Sequence, residues 1–286
     1  MKKIYSGKKF IWESMEANKQ LEPAGTDRIV LIGAGNVATH LGVALKETGW
    51  DIVQVYSRTE ASASELGNRL GLPYVTSIAE VCKDADIYIV AVKDDALPAL
   101  IPELTKDRYG LFVHTAGSVP MDVWEGHALY HGVLYPMQTF SKQKPVDFRS
   151  VSFFLEGDGV ETLVQLRELA CSLSEKVYDA TSEQRAYLHM AAVYACNFTN
   201  HMYALSARLL EKHGLPFEAM LPLIDETARK VHMMHPVHAQ TGPAVRKDTQ
   251  VMDKHLAMLA EEAELREIYR MISDSIICHP EWHVHK

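Results

Sequence analysis

A chain of 286 residues, 47% hydrophobic and 23% charged, has the make-up of an ordinary globular protein, long enough for one large or two medium domains. Its net charge of −8 argues against a general nucleic-acid binder, and no apolar run approaches the roughly 18 residues that a membrane helix needs. The four cysteines (Cys82, Cys171, Cys196 and Cys278) lie far apart with no CxxC pair, and they read as reduced and mostly buried, in a cytoplasm.

Residues 1–26 are basic at Lys2, Lys3, Lys8 and Lys9 but lack the apolar stretch of a signal peptide. They read as an N-terminal extension: a tail, an added short helix or an appended segment. The first strong pattern runs from Arg28 to Leu41, with an apolar run, the turn Gly33-Ala34-Gly35 and a helix start. Gly33 permits the sharp turn, Gly35 leaves room for a phosphate, and Ala38 is the third small position, where helix and strand pack closely. The free amides at the helix start, around Asn36 and Val37, would meet negative charge. Small residues at this spacing also serve plain turns. The flanking apolar run and the amphipathic helix through Leu41, Ala44 and Leu45 to Gly49 favour a dinucleotide.

The second strand, Ile52 to Tyr56, ends in Ser57-Arg58-Thr59. An NAD site carries an acid at this strand end for the ribose hydroxyls. Here a hydroxyl and a guanidinium stand instead, so Ser57 and Arg58 suit a 2′-phosphate and the expected cofactor is NADP (NADPH). The plainer reading of Arg58 is a solvated loop arginine. A helix follows from Glu60 to Leu70, then a short third strand at Val75, and Ser77-Ile78-Ala79-Glu80 reads as a capping box opening a short helix. Ile87 to Val92 is apolar enough for a strand covered on both faces, and Asp94 is placed to cap the next helix. Strands at 110–114, 129–134 and 151–155 complete the pattern. Such alternation predicts an α/β fold whose N-terminal Rossmann dinucleotide-binding domain spans residues 27–158.

Beyond it the period changes. A helix from Val160 to Ser172 and a short strand near Val177 are followed by helical patterns alone, which predicts an all-α C-terminal domain over 159–286. Thr181-Ser182-Glu183-Gln184 is a second capping box, opening a helix that runs to Lys212 and ends at Gly214. Another helix begins near Pro216, and a last long one spans Thr249 to Cys278. Between Ala186 and Phe198 the long helix is apolar on nearly every side, which predicts burial in its own domain or in a dimer. At helical spacing His189, Asn197 and Asn200 share an arc of roughly 80°. They serve either a polar core network or a cleft.

Gly33-x-Gly35-x-x-Ala38, Ser57-Arg58 and Val90-Ala91-Val92 resemble the cofactor half of the 6-phosphogluconate dehydrogenase-like superfamily. That group includes pyrroline-5-carboxylate reductase, ketopantoate reductase, the β-hydroxyacid dehydrogenases and the deazaflavin-dependent NADP oxidoreductases. His114-Thr115-Ala116-Gly117-Ser118, Tyr135-Pro136-Met137-Gln138-Thr139-Phe140, and Thr241-Gly242-Pro243-Ala244-Val245-Arg246-Lys247-Asp248 further resemble a poorly characterised family. It joins a Rossmann-like domain to a helical domain of unknown function; Arg185 to His189 and Asn197 fit its long helix. The resemblance covers about residues 28–280. It implies hydride transfer between NADPH and a C=O or C=N group, passage of Ala91, Val92 and Lys93 beside the cofactor riboses, and a homodimer through the helical domain. Lys93 reads equally as a solvated strand end. The chain departs from the β-hydroxyacid dehydrogenases, which carry a lysine one helical turn before an asparagine; that position is Val193 here, and no lysine occurs between Lys176 and Lys212.

The candidate proton donor is His189, with His114 second, and Gln138 and Asn197 are candidates to orient the polarised atom. Ser118 and Pro136 lie just past strand ends, where substrates meet open parallel sheets. Thr241 and Gly242 offer loop amides to an anionic substrate, and Arg246 offers a bidentate grip; alternatively Arg246 and Asp248 form an ion pair and a helix cap. His232, His235 and His238, and the set Cys278, His279, His283 and His285, lack zinc spacings, so no metal is expected. The expected function is an NADP-dependent oxidoreductase acting on a small, anionic keto or imino substrate. The rival is an NADPH-binding sensor or interaction protein without turnover. Neither reading calls for nucleic acid or membrane.

Overall fold

The computed structural model describes residues 27–279, so the expectations for residues 1–26 and for His283 and His285 fall outside the described residues. The described chain divides into two compact units, meeting in sequence at Tyr194 and Ala195. The first holds a single sheet of eight strands: β1 (Arg28–Ile32), β2 (Asp51–Tyr56), β3 (Tyr74–Val75), β4 (Ile87–Val90), β5 (Leu111–His114), β6 (Tyr130–Met137), β7 (Ser152–Gly157) and β8 (Val177–Asp179). Their order is β3-β2-β1-β4-β5-β6-β7-β8. Neighbours run parallel except β6 and β7, which are antiparallel. Because β1 lies between β2 and β4, chain order reverses there, and open α/β sheets receive their ligands at such a point, outside the carboxyl ends of the strands.

Alternation along β1 explains the layering. Ile29 and Leu31 enter one core with Leu41 and Leu45 of α1 (Asn36–Glu47) and Leu66 and Leu70 of α2 (Glu60–Leu70). Val30 and Ile32 enter the other, with Leu97, Ile101 and Leu104 of α3 (Leu97–Leu104). Burial on both faces is what a parallel sheet requires. The change of period at 159 does not end this layering: Leu166, Leu169 and Ala170 of α4 (Val160–Leu173) pack in the first core, and β8 pairs with β7. With the helical region that follows, the architecture is a Rossmann-type α/β domain followed by helices.

Several local expectations need correction. Ser77 makes no cap hydrogen bond, and Ile78–Glu80 is only a 3-10 turn. The buried Arg108 guanidinium takes the Ile78 and Val81 carbonyls at 2.7 and 2.8 Å, which ends the turn at once. Asp94 does not cap α3, because its carboxylate is engaged by the Ser118 hydroxyl; Pro98 stands in the first turn of that helix instead.

The second capping box is formed as expected, with Thr181 and Gln184 bonded reciprocally at the start of α5 (Ser182–Ala192). The helix does not continue in one pitch to Lys212. A π-helical segment, Val193–Phe198, separates α5 from α6 (Thr199–Lys212). Its wider i→i+5 turn breaks the spacing that grouped His189 with Asn197 and Asn200. Nor is the stretch buried within the described chain: Tyr187 is 62% exposed, Met190 50% and Tyr194 67%. Cys196 within it is exposed, as are Cys171 and Cys278 on other helix surfaces, so the cysteines are not mostly buried as expected.

The second unit comprises α6, α7 (Leu221–Met233), the single turn α8 (Pro236–Ala239), α9 (Thr249–Met258) and α10 (Ala263–Cys278). The expected last long helix is two helices. Leu259 and Leu265 would stand about 120° apart on one continuous helix. The break at Leu259–Glu262 lets both pack against Leu205, and Glu262 is held there by Lys212 at 2.7 Å.

Candidate active site

The glycine turn after β1 is built for close approach. Gly33 has φ +116°, and a Cβ there would stand 2.3 Å from the Ala91 carbonyl oxygen at the end of β4. Its amide donates to the Tyr56 carbonyl at 2.7 Å, which draws the end of β2 alongside. Gly35 precedes α1 without a side-chain cap, and the space where its Cβ would lie is open. The first-turn amides of α1 are therefore uncapped by protein, beside a vacant volume at a helix N-terminus, the geometry that receives a pyrophosphate. Ala38 is fully buried against the sheet, as its place in the motif predicts. Ser57 is half-buried, and Arg58 is exposed with no ion pair among the described residues. These residues fit a dinucleotide with a 2′-phosphate.

The Asn36 side chain has a different task. Its Nδ2 donates to the Phe140 carbonyl at 2.9 Å, and His40 Nε2 lies 2.9 Å from the Ser141 carbonyl. Helix α1 thus holds the loop after β6. Along the carboxyl edge, Ala91 is buried, Val92 half-buried and Lys93 exposed. Ser118 is exposed and donates to Asp94, joining the segment after β5 to the segment after β4.

Strand β6 runs past the end of β5: His114 pairs with Val133, and Tyr135 lies two residues further, opposite Phe154 of β7. There the Tyr135 hydroxyl lies 3.2 Å from His189 Nδ1, with the two rings edge to face at 6.2 Å. Gly117 makes the pair possible. A Cβ on it would stand 2.8 Å from both Tyr135 Cζ and His189 Nδ1. Tyr135 is 8% exposed and His189 is intermediate, so the imidazole forms the wetter end of the pair. Burial pushes the Tyr135 phenol up; Arg185 pulls it down and Asp94 pushes it up further.

Behind this pair lies Arg185, 1% exposed. It meets Glu156 at 2.7 Å, and its remaining donors reach the Ala116 and Val119 carbonyls and Ser182. Ser182 also donates to Glu156 through both its amide, at 2.8 Å, and its hydroxyl, at 2.7 Å. Burial lowers the Arg185 pKa and Glu156 raises it. The buried cation thereby clamps the 116–119 turn under α5. Sequence reasoning did not assign a role to Tyr135 or Arg185. The available signal was their place: Tyr135 stands in the motif at the end of β6, and Arg185 follows the capping box directly.

His114 suits proton donation poorly. It is 0% exposed, its Nδ1 accepts from the Ala116 amide at 3.2 Å, and its ring stacks 6.2 Å from Trp124. Burial first and the Arg185 cation second push its pKa down to about 3, against an opposing pull from the Pro120 backbone. It is a neutral core histidine under the site. Pro136 is also buried, in the ladder opposite Phe153, and offers no group to a ligand. Gln138 is exposed; its Oε1 accepts from the Thr139 amide at 2.8 Å, which leaves its amide nitrogen to donate.

The other candidates belong to the second unit. Asn197 and Arg246 are exposed there, and Thr241 and Gly242 lie in a loop in which Gly242 has φ +109°. Asp248 accepts from the Val251 amide at 3.2 Å as the cap of α9, one of its two sequence readings. His235 accepts from the Val237 amide and meets His238 edge to face. Among the described residues no group of three or more His, Cys, Asp or Glu side chains is arranged to hold a metal ion, and no helix is long and apolar enough to cross a membrane.

Residues 28–114 match a family described as NADP oxidoreductase coenzyme F420-dependent, and residues 151–276 match a domain of unknown function, DUF2520. A crystal structure from Bacteroides fragilis, described as a "putative NADP oxidoreductase", is 55% identical, with TM-score 0.84 over 88% of this chain and 98% of that one. An imine reductase from Myxococcus stipitatus in complex with NADP+ shares the fold at 19% identity, with TM-score 0.62 over 88% of this chain and 92% of that one. Pyrroline-5-carboxylate reductase of Pseudomonas aeruginosa is 30% identical over 110 residues, which span 35% of this chain and 40% of that enzyme. The resemblance read from the motifs thus holds for an NADP oxidoreductase cofactor domain, with pyrroline-5-carboxylate reductase among its relatives, and for the helical domain of unknown function.

Proposed function

The chain belongs to the family of NADP oxidoreductases that joins this cofactor domain to DUF2520, and on that premise we propose that it reduces a small keto or imino substrate with NADPH. The observation that carries the reading is the pairing, on the carboxyl edge of one sheet, of an uncapped phosphate cradle at Gly33–Ala38 with a hydrogen-bonded Tyr135–His189 couple. The amides of Asn36, Val37 and Ala38 hold the pyrophosphate, while Gly33 and Gly35 keep its approach clear. Ser57 and Arg58 hold the 2′-phosphate. Ala91, Val92 and Lys93 run beside the riboses. When bound, the reduced nicotinamide supplies hydride to the carbon of a C=O or C=N group.

His189 gives the proton to the oxygen or nitrogen of that group, and Gln138 donates to the same atom through its amide. Asn197 of the second unit is the further candidate for orientation. What supports an anionic substrate is the exposed guanidinium of Arg246, with the Thr241 and Gly242 amides in the same loop and Ser118 on the sheet edge. The apolar, exposed face of α5 supports a homodimer through the helices, and the four free cysteines suit the reducing cytoplasm.

The test is a titration with NADPH and NADH, repeated on Arg58→Ala, followed by absorbance assays over keto and imino acids. Losing charge-assisted bonds worth about 1.5–3 kcal/mol should weaken NADPH roughly 10- to 150-fold and leave NADH unchanged. Equal loss for both cofactors overturns the 2′-phosphate assignment. Tight NADPH binding without oxidation over the whole panel moves the protein to the sensor reading.

A further inference from the structure

We propose that Tyr135 is a positioning residue that locks His189 as its Nε2–H tautomer and supplies the proton that refills Nδ1, so that Nε2 is the atom from which the substrate is protonated. The inference rests on the reductase reading above for its chemistry, but its structural core stands apart from it.

The lock follows from hydrogen-bond accounting. A buried phenol needs an acceptor for its O–H. Among the described residues, His189 Nδ1 at 3.2 Å is the partner that the Tyr135 hydroxyl has. Burial keeps the phenol protonated, so it arrives with a hydrogen to give. Nδ1 must then carry the lone pair, and the single proton of a neutral imidazole resides on Nε2. His189 is the more exposed of the two residues, so the protonated nitrogen belongs to the partner that a ligand at the carboxyl edge can reach.

The lock also solves a problem of proton balance. A neutral imidazole that gives up its only N–H becomes an imidazolate, a poor leaving state. Here the Nε2 proton passes to the substrate oxygen or nitrogen while the phenolic proton moves from Oη to Nδ1. The imidazole stays neutral and the charge appears as tyrosinate. The two electrons come with the hydride of the reduced nicotinamide, and one solvent proton then enters at Nε2 as the Nδ1 proton returns to the tyrosinate, which restores both the phenol and the starting tautomer. Burial opposes that tyrosinate most and Asp94 on the lip opposes it further, while Arg185, buried behind Tyr135, offsets part of the cost, so the tyrosinate is a transient that gives way to the phenol. Gly117 holds the couple together, because any side chain there would wedge between the two rings.

The experiment is nitrogen NMR of the full chain labelled with 15N-histidine, without cofactor, at alkaline pH. The His189 signals are identified by their loss in His189→Asn. A bare Nδ1 and a protonated Nε2 are expected in the natural sequence, shifting towards a mixture of both tautomers in Tyr135→Phe. Gly117→Ala should shift them the same way by a different route, and melting curves check that both variants fold. A protonated Nδ1 in the natural sequence, or signals unmoved in Tyr135→Phe, overturns the lock. In turnover, Tyr135→Phe should lower kcat about tenfold or more with KM for NADPH unchanged, and His189→Asn about 100-fold. A locked tautomer with kcat unaltered in Tyr135→Phe overturns the relay. A locked tautomer in a protein that oxidises NADPH with no substrate supports the lock and overturns the reductase reading.

Discussion

In the first unit every central strand sends side chains both ways, Ile29 and Leu31 into one packed layer and Val30 and Ile32 into the other. In the second, a cluster of three leucines, Leu205, Leu259 and Leu265, forms the core, while Leu223, Met233, Met258 and Met271 stand exposed. The difference is one of geometry. A parallel sheet wrapped by its own helices closes its core within one chain. Helices with a single apolar stripe bury it only where another surface meets it. Stability in the sheet unit should therefore depend on individual buried groups, and in the helical unit on what covers it.

Charge pairs give the sharpest way to break that comparison. Glu156→Gln would leave Arg185 buried without its counter-charge, and the expected loss is about 3–5 kcal/mol by denaturant unfolding. The matching change in the helical unit, Lys212→Ala, removes an exposed partner of Glu262 and should leave the unfolding midpoint unmoved. Comparable losses from both would dissolve the contrast.

Acid unfolding comes next. His114 stays neutral in the fold down to about pH 3, whereas in the unfolded chain it takes a proton near its ordinary value of 6.5. The unfolded state therefore binds more protons as pH falls, so the contribution is whole above 6.5 and is lost progressively towards 3. His114→Asn should flatten the acid limb over that window. An unchanged slope would show that the ring is not held neutral.

The smallest effect concerns coverage. If a second copy covers the exposed helix faces, the melting temperature rises with protein concentration. Sedimentation equilibrium should then give a dimer. A monomer with a concentration-independent melt sinks the dimer and leaves the contrast to intrinsic packing alone.

Legibility in the sequence followed the same division. The strands were readable because alternation and apolar runs are local signals, and the turn at Gly33 because its residue types have a backbone reason. The break at Leu259–Glu262 was not, since no glycine or proline marks it and only packing on Leu205 demands it. The π-helical segment likewise carries no local mark, and it defeated the grouping of His189 with Asn197. In the site, His189 stood out as a polar residue in an apolar stretch. His114 misled because a histidine at a strand end looks the same whether it faces a ligand or a tryptophan. Tyr135 and Arg185 were hidden because strand overhang and burial are properties of pairing, which no window of sequence contains.

The contacts between α1 and the loop after β6 have a kinetic consequence. Asn36 reaches Phe140 and His40 reaches Ser141 across about a hundred residues of chain, and Lys142 reaches Glu65 on α2 at 2.7 Å. Contacts so distant in sequence are slow to form, because the intervening chain must be closed first. The first βαβ unit, whose contacts are short in range, has every reason to assemble early. The loop bearing Gln138 has a docking surface only once α1 is in place, so the carboxyl edge of the sheet beside β6 is the last part of it to acquire its shape.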